Sequence, residues 1–524
     1  MTSRYDAIVI GAGENGLVAA ISLARAGRRT LLLERREGLG GQDRATEFAP
    51  GFKSAPLGLD AAWLPPPIVR GLGITPPERV LPEVPLTVAA GDGEWLPLSR
   101  DLELAAAAIA KYSASDAARW PAFCHRLARH AGFLAELSLL PPPDVDASGL
   151  GELFTMLGLA RKLRGLGKTD MVELLRTVPM AVQELLDDWF ETEPLKAALA
   201  ATALQELRQG PRSGGTCFGL LRHQIGAAPG AIRGAGYWRA GPEALGESLA
   251  AAARASGVEL RTGVDVVRIL ARDDEVTGVA LGSGEQLEAP MVLSSLDPAR
   301  TLLGLVDPVW LDPDFLLAVR NIKYRGSVVH ASFALDALPE FRGLQERAAA
   351  LLGTLSLTPA TPDLERAADA AKYGRASERP HVELQLPSLR WPELAPAGKH
   401  VLVARAQWAP YHLRDAEWTA ERRERFGDSI AAAIERVAPG FSQLVRAREV
   451  LTPRELEARY GLTEGAASHG EMCLDQILFM RPVAGAAHYA MPLDGLFLCG
   501  AGAHPGNSVA GGAGWLAARQ ALQH

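Results

Sequence analysis

The segment that most restricts what this chain can fold into is Ala7-Ile-Val-Ile10 followed at once by Gly11-Ala-Gly-Glu-Asn-Gly16. A short, uninterrupted apolar run predicts a strand buried on both faces, as in a parallel sheet covered by helices. Beyond the glycines, Leu17, Ala20, Ile21 and Ala24 recur at helical spacing, and Gly27 stands where such a helix would stop. Thr30-Leu-Leu-Leu33 predicts the next strand, with Glu34 at its carboxyl end, 18 positions after Gly16. A bare glycine triplet carries little weight, but strand, glycine turn, helix, strand and terminal carboxylate together form a dinucleotide-binding unit.

In such a unit Gly11 permits the tight turn, Gly13 lets the backbone approach a pyrophosphate, and Gly16 allows close packing of helix on strand. Asn15 belongs to the same cofactor-binding turn. The helix N-terminus offers unpaired N–H donors and a partial positive charge to phosphates. Glu34 accepts hydrogen bonds from an adenosine ribose and would repel a 2′-phosphate, which argues against NADP. Arg35 and a second glycine loop ending in Gly40 and Gly41 follow closely. That spacing suits the longer, bent path of FAD. The segment 495–523 repeats the pattern of strand, glycine-rich turn and helix, with Gly500 and Ala501 in the turn. A helix N-terminus aimed at a flavin would stabilise negative charge on the reduced ring.

Elsewhere, residues 98–209 read mostly as helices, broken by Pro141-Pro-Pro143, and short strands are expected between 258 and 295. Strand patterns recur at 325–335 and 381–408, and 415–437 reads as a long helix. The expected fold is α/β: a Rossmann-like FAD-binding domain with an interleaved α+β substrate domain. The FAD domain is assigned to 1–90, 237–300 and 486–524, and the substrate domain to 91–236 and 301–485. Composition fits an ordinary globular enzyme, with 48% hydrophobic and 22% charged residues. The balance of 54 basic against 61 acidic residues, net −7, gives no nucleic-acid footprint. No apolar run reaches the roughly 18 residues of a membrane span, and no leader pattern opens the chain, so a cytoplasmic protein is expected. Cys124, Cys217, Cys473 and Cys499 include no C-x-x-C pair. Redox chemistry must therefore come from a cofactor.

Several stretches resemble the phytoene desaturase-like FAD-dependent oxidoreductases, most closely the pyridine nucleotide-disulfide oxidoreductase domain-containing protein 2 group. They include YDAIVIGAGENGLVAA, LLLERREGLGG, GPRSGGT, LSSLDPARTLL, HGEMCLDQILFMRP and GLFLCGAGAHPG, which together run through nearly the whole chain. The resemblance implies a two-domain flavoprotein with amine oxidase-like architecture, non-covalent FAD and a largely apolar substrate tunnel. It implies FAD contacts at Gly11, Gly13, Gly16, Glu34, Gly40, Gly41, Gly500 and Ala501, with the backbone of Val266 at the adenine. The chain departs from the group's pattern at His504-Pro-Gly-Asn-Ser508 and at Arg239-Ala-Gly-Pro242, both near the expected flavin face.

The expected reaction is dehydrogenation or isomerisation of an apolar small molecule, with hydride transfer to flavin N5 and an electron acceptor left open among oxygen, a quinone and another carrier. Alternatives are a flavin amine oxidase and a flavin-binding protein with a structural or interaction role. His223, His469 and His504 are the candidate bases, since histidine titrates nearest neutrality. Asn507 and Ser508 either hydrogen-bond the flavin or cap the final helix. Glu471 and Asp475 beside His469 match no strong metal spacing, and no metal is expected. Trp238, Trp408, Tyr411 and Trp515 are candidates for an aromatic wall. Leu150, Leu153, Phe154 and Leu157, followed by Arg161, Lys162, Arg164 and Lys168, predict an amphipathic basic helix. Such a helix either meets a membrane surface or packs as part of the insertion.

Overall fold

A computed structural model describes residues 4–524 except 92, 144–149, 234–235, 346–347 and 415; for residues 150–155 it describes the backbone alone. The N-terminal unit forms as its sequence dictates. Strands Ala7–Ile10 and Thr30–Leu33 are buried along their whole length, which is why no polar residue interrupts them. Helix Glu14–Arg25 joins them and ends at Gly27, whose φ of +84° suits glycine.

A five-stranded parallel sheet grows around this unit in the order Leu496–Leu498, Val292–Ser294, Ala7–Ile10, Thr30–Leu33, Glu259–Arg261. Its strands come from the beginning, middle and end of the chain. Helices Ala244–Ala255 and Gly512–Ala521 pack beside Glu14–Arg25. The order in which the chain adds strands reverses at Ala7–Ile10, which has Thr30–Leu33 on one side and Val292–Ser294 on the other, and the crevice at such a switch is where open α/β sheets bind ligands.

The second sheet has seven strands, in the order Val445–Leu451, Val328–Leu335, His400–Gln407, His381–Gln385, Thr354–Ser356, Leu86–Gly91, Glu94–Leu98. The last two form a hairpin that runs through residue 90, the expected end of the first FAD-domain segment. Side chains alternate along its central strands, as the pleat requires. Val329, Phe333, Leu384 and Leu402 face one way and pack on Phe426, Ile430 and Ile434 of helix Ala420–Val437. Residues 330, 383, 385 and 405 fall on the opposite face, yet they too are largely shielded from solvent, because that face is covered by the rest of the protein.

A helical layer, including Ala114–Leu137, Glu193–Ala203 and Cys217–His223, closes the third side around its own apolar core. The basic helix runs over Leu150–Gly165. The side chains of Leu150, Leu153 and Phe154 lie outside the described residues. Leu159 and Leu163 pack on the helical core and Lys162 pairs with Glu136 at 2.6 Å, whereas Leu157 is exposed. Among the described residues, no helix is long and apolar enough to cross a membrane.

Candidate functional site: a glycine cradle opening into a charged cavity

A cavity of about 800 Å³ starts at the carboxyl edge of the parallel sheet and runs to the polar face of the seven-stranded sheet. The glycines at its first end have separable causes. At Gly11, φ is +91° and a Cβ would sit 2.4 Å from Ser295 Oγ; at Gly16 it would sit 2.0 Å from the Gly11 carbonyl oxygen. Internal packing alone therefore demands glycine at both positions. Gly13 is different. Its φ of −72° suits any residue, and a Cβ would meet nothing nearer than Gly41 Cα at 3.9 Å. Among the described residues nothing requires glycine there, whereas close approach of a pyrophosphate would.

Gly40 (φ +100°) donates its N–H to the Ala12 carbonyl at 2.9 Å, and Gly41 Cα lies against Gly13. Gly246, in helix Ala244–Ala255, backs this loop so closely that its Cβ would fall 2.6 Å from Gly40 Cα. That third glycine was not among the expected site residues. Its signal, a lone glycine inside a helical pattern, was present. The first intrahelical bond of Glu14–Arg25 is donated by Leu17 to Gly13, which leaves the preceding N–H groups at the cavity. Asn15 lines the cavity and its Oδ1 accepts the Gly514 N–H at 3.2 Å, tying the first helix to the last.

Glu34 closes this end. Its carboxylate accepts N–H bonds from Ala12 (2.7 Å) and Arg36 (2.9 Å), which fixes it beside Arg35 at the cavity wall. Val264 donates to the Glu34 carbonyl at 2.9 Å, and this bond carries Val266 to the same wall. Separate segments thus meet in a cradle whose donors, carboxylate and open glycine fit the pyrophosphate and ribose of FAD. Two acids complicate it. Glu14 and Asp43 both line the cavity. Burial pushes the Glu14 carboxyl up to about 7, and burial followed by the nearby charge of Glu14 pushes Asp43 well above the carboxylate range.

Farther along, Ala501 lines the cavity while Gly500 packs behind it, where a Cβ would fall 2.3 Å from the Ser295 carbonyl oxygen. Arg481, fully buried, holds the Ala501 carbonyl through Nε at 3.0 Å and Nη2 at 2.6 Å, and also bonds the carbonyls of Ser468 and Gln476. It ties the cofactor-facing turn to the loop that carries His469.

The three candidate histidines separate. His469 lines the cavity, with φ +55° and an Nδ1 that meets no partner among the described residues; burial lowers its pKa against the pull of Asp297. His223 also lines it, but Arg222 donates to its Nε2 at 2.8 Å. Burial and the charges of Arg222, Arg233 and Arg405 keep it neutral well below the usual range. The imidazole of His504 does not line this cavity. It turns into a small separate one beside Leu137, whose carbonyl lies 3.3 Å from Nε2, and burial lowers its pKa to about 4.

Other expectations also need correction. Asn507 and Ser508 do not cap the last helix, which begins after Gly511 without a side-chain cap; both instead accept from Arg222. Of the four aromatic candidates only Trp238 lines the cavity, joined by Trp63. Trp408 is core, Tyr411 bonds Glu457, and Trp515 packs on Gly71. Glu471 accepts the Arg208 N–H and Asp475 pairs with Lys323, and the described residues hold no cluster able to bind a metal ion. All four cysteines are buried and unpaired.

At the far end, His223, Asn507 and Ser508 were expected site residues, whereas the charged side chains beside them were not. Arg222 and Arg233 come from the helical layer, and Glu383 and Arg405 from the second sheet. Glu383 sits between Arg233 (Nη1 to Oε2, 3.2 Å; Nη2 to Oε1) and Arg405, with His381 Nε2 3.5 Å away. The two guanidiniums hold its carboxyl well below the usual range despite burial.

Residues 9–67 match the family model of an NAD(P)-binding Rossmann-like domain. Over 98% of its length the chain is 34% identical to pyridine nucleotide-disulfide oxidoreductase domain-containing protein 2 of Rattus norvegicus, of which 93% is covered. It is 23% identical to a neurosporene-forming phytoene desaturase of Cereibacter sphaeroides, over 96% of this chain and 92% of that one. A putrescine oxidase variant, described as a redesign of cofactor binding, superposes with a TM-score of 0.60 at 14% identity, over 99% of this chain and 98% of that one. The glycine cradle, the interleaved sheets and the full-length match lead to one conclusion: the chain belongs to the pyridine nucleotide-disulfide oxidoreductase domain-containing protein 2 family, oxidoreductases built on a Rossmann-like FAD-binding fold.

Proposed function

We propose that the protein is an FAD-dependent oxidoreductase that dehydrogenates or isomerises a small molecule with an apolar carbon skeleton. The observation that carries this reading is the continuity of a single cavity from the glycine cradle to the second sheet. A cofactor held at one end would share that space with a substrate entering the other. Bound FAD supplies a two-electron acceptor for hydride removal from a C–H bond.

The protein's own part is positioning and proton handling. Trp63, Trp238, Ile225 and Val403 supply apolar wall for a carbon chain. His469 has a free Nδ1 and is neutral at physiological pH, so it can take a proton from carbon or return one to it. His223 is less suited, because Arg222 already occupies its Nε2. The charged wall also bears on the amine oxidase alternative: Arg222, Arg233 and Arg405 repel the ammonium form of an amine.

The test is anaerobic reduction of the FAD-loaded protein by a panel of saturated and unsaturated lipids, terpenoids and amines. Bleaching by carbon-skeleton substrates and not by amines is expected. Bleaching by amines alone would overturn the reading. His469→Gln should slow reduction about 100-fold with FAD content unchanged, and a wild-type rate would remove His469 from the mechanism.

A further inference from the structure

The far end of the cavity holds more positive charge than it neutralises. Arg233 and Arg405 share the single carboxylate of Glu383. Turned with its carbonyl oxygen toward them, the Gln205 amide accepts from Arg233 Nη1 (2.8 Å) and Arg405 Nη2 (2.9 Å), which satisfies donors without adding charge. Arg222 has only neutral partners: Asn507 Oδ1 at 2.9 Å, Ser508 Oγ at 3.5 Å and His223 Nε2 at 2.8 Å. No carboxylate lies within 4.0 Å of Arg222 among the described residues, although it is only 4% exposed.

The remaining carboxylates on this wall do not restore the balance. Glu206 accepts from Asn507 Nδ2 at 3.2 Å and offsets one guanidinium through that amide. Asp60 accepts from Gln385 Nε2 at 2.9 Å and divides its charge among Arg405, Arg79 and Arg390. Three guanidiniums, Arg222, Arg233 and Arg405, are therefore set against two carboxylates, Glu206 and Glu383, and the share of Asp60 that reaches Arg405. His223 and His330 both face this wall and are held neutral, so they add nothing to either side. A buried charge lacking its counter-ion is strongly unfavourable, and chains retain one where a ligand supplies the partner.

We propose that this wall is an anion-binding subsite, and that the substrate is an amphipathic carboxylate whose charged group docks at Arg222 and Arg405 while its apolar chain runs back toward the glycine cradle. The chain's course rests on the oxidoreductase reading above; binding of the carboxylate does not. The subsite would select acids over the neutral hydrocarbons, esters and alcohols that an apolar tunnel would accept equally. Charge-assisted hydrogen bonds from planar guanidiniums give carboxylates the geometry they prefer.

The experiment measures equilibrium binding of lauric acid, methyl laurate and dodecanol to the full chain, by calorimetry and thermal shift, with FAD content measured in parallel. Lauric acid should bind about tenfold or more tighter than the other two. Arg222→Met should reduce that ratio toward one while retaining FAD, and Arg222→Lys should recover part of it. Equal affinity for acid, ester and alcohol, or binding of none of them, overturns the proposal. The wild-type ratio decides the matter even if Arg222→Met fails to fold. Acid selectivity in protein that retains no FAD would sustain the subsite and sink the oxidoreductase reading.

Discussion

Around Gly11, Gly13, Gly40 and Gly41 the cavity wall is main chain, whereas around Arg222, Glu383 and Arg405 it is charged side chain. The two ends do different work by different means. The cradle positions N–H groups and removes Cβ atoms so that a large cofactor can lie against the backbone. The far wall offers guanidiniums fixed by Glu383, Gln205 and Asn507, and so selects by charge. A backbone surface recognises what every member of a cofactor class shares, namely phosphate and ribose. A side-chain surface can be rebuilt for each substrate without moving the fold. Substitutions at the two ends should therefore separate cofactor retention from substrate choice.

The largest effect is expected at the far wall. Glu383→Gln strands two buried guanidiniums and should lower stability by about 3–5 kcal/mol, read as a large fall in Tm. A change under about 1 kcal/mol would mean the cluster is more hydrated than its burial indicates. At the cradle, Glu34→Ala removes the acceptor held by Ala12 and Arg36. Affinity for FAD should fall roughly tenfold or more, with acid selectivity in the far wall intact. Simultaneous loss of both would erase the distinction between the two ends.

A smaller, pH-dependent effect follows from Glu14. Its carboxyl titrates near 7 in the folded protein, above its ordinary 4.5, because burial disfavours the charged form. The protonated form thus favours the fold at low pH, and that contribution is lost as pH rises from the ordinary value through about 7. An ionised Glu14 would also repel a pyrophosphate in the same cradle. FAD retention should weaken between about pH 6 and pH 8, and Glu14→Gln should flatten that slope, measured by release of flavin fluorescence. A steeper slope in the variant would contradict it. The smallest effect belongs to His504, whose imidazole faces away from the large cavity. His504→Ala should cost stability through a lost contact and leave the rate of flavin reduction unchanged. A strongly reduced rate would restore it to the site.

The same contrast explains what could be read from the chain. The cradle was legible because its parts are close in sequence, and each glycine has a local reason. Even its remote pieces, Val266 and Ala501, fell in stretches resembling a known family. The far wall was not legible. His381-Val-Glu-Leu-Gln385 alternates polar and apolar residues, and by default such a strand turns its polar side to water. Only the tertiary fold reveals that this side is covered by the helical layer, which brings Arg233 onto Glu383 across 150 positions. His504 misled for a related reason. The turn that carries it follows Ala501, but side-chain direction depends on what packs behind the turn, here Leu137 and Phe218.

FAD in the glycine cradle is the assignment on which the two-ended cavity depends. It is tested most directly by the visible absorbance spectrum of the purified protein after reconstitution with FAD and removal of the unbound cofactor. One flavin per chain, with the bands of oxidised FAD, is the predicted result. Protein that stays colourless would contradict it.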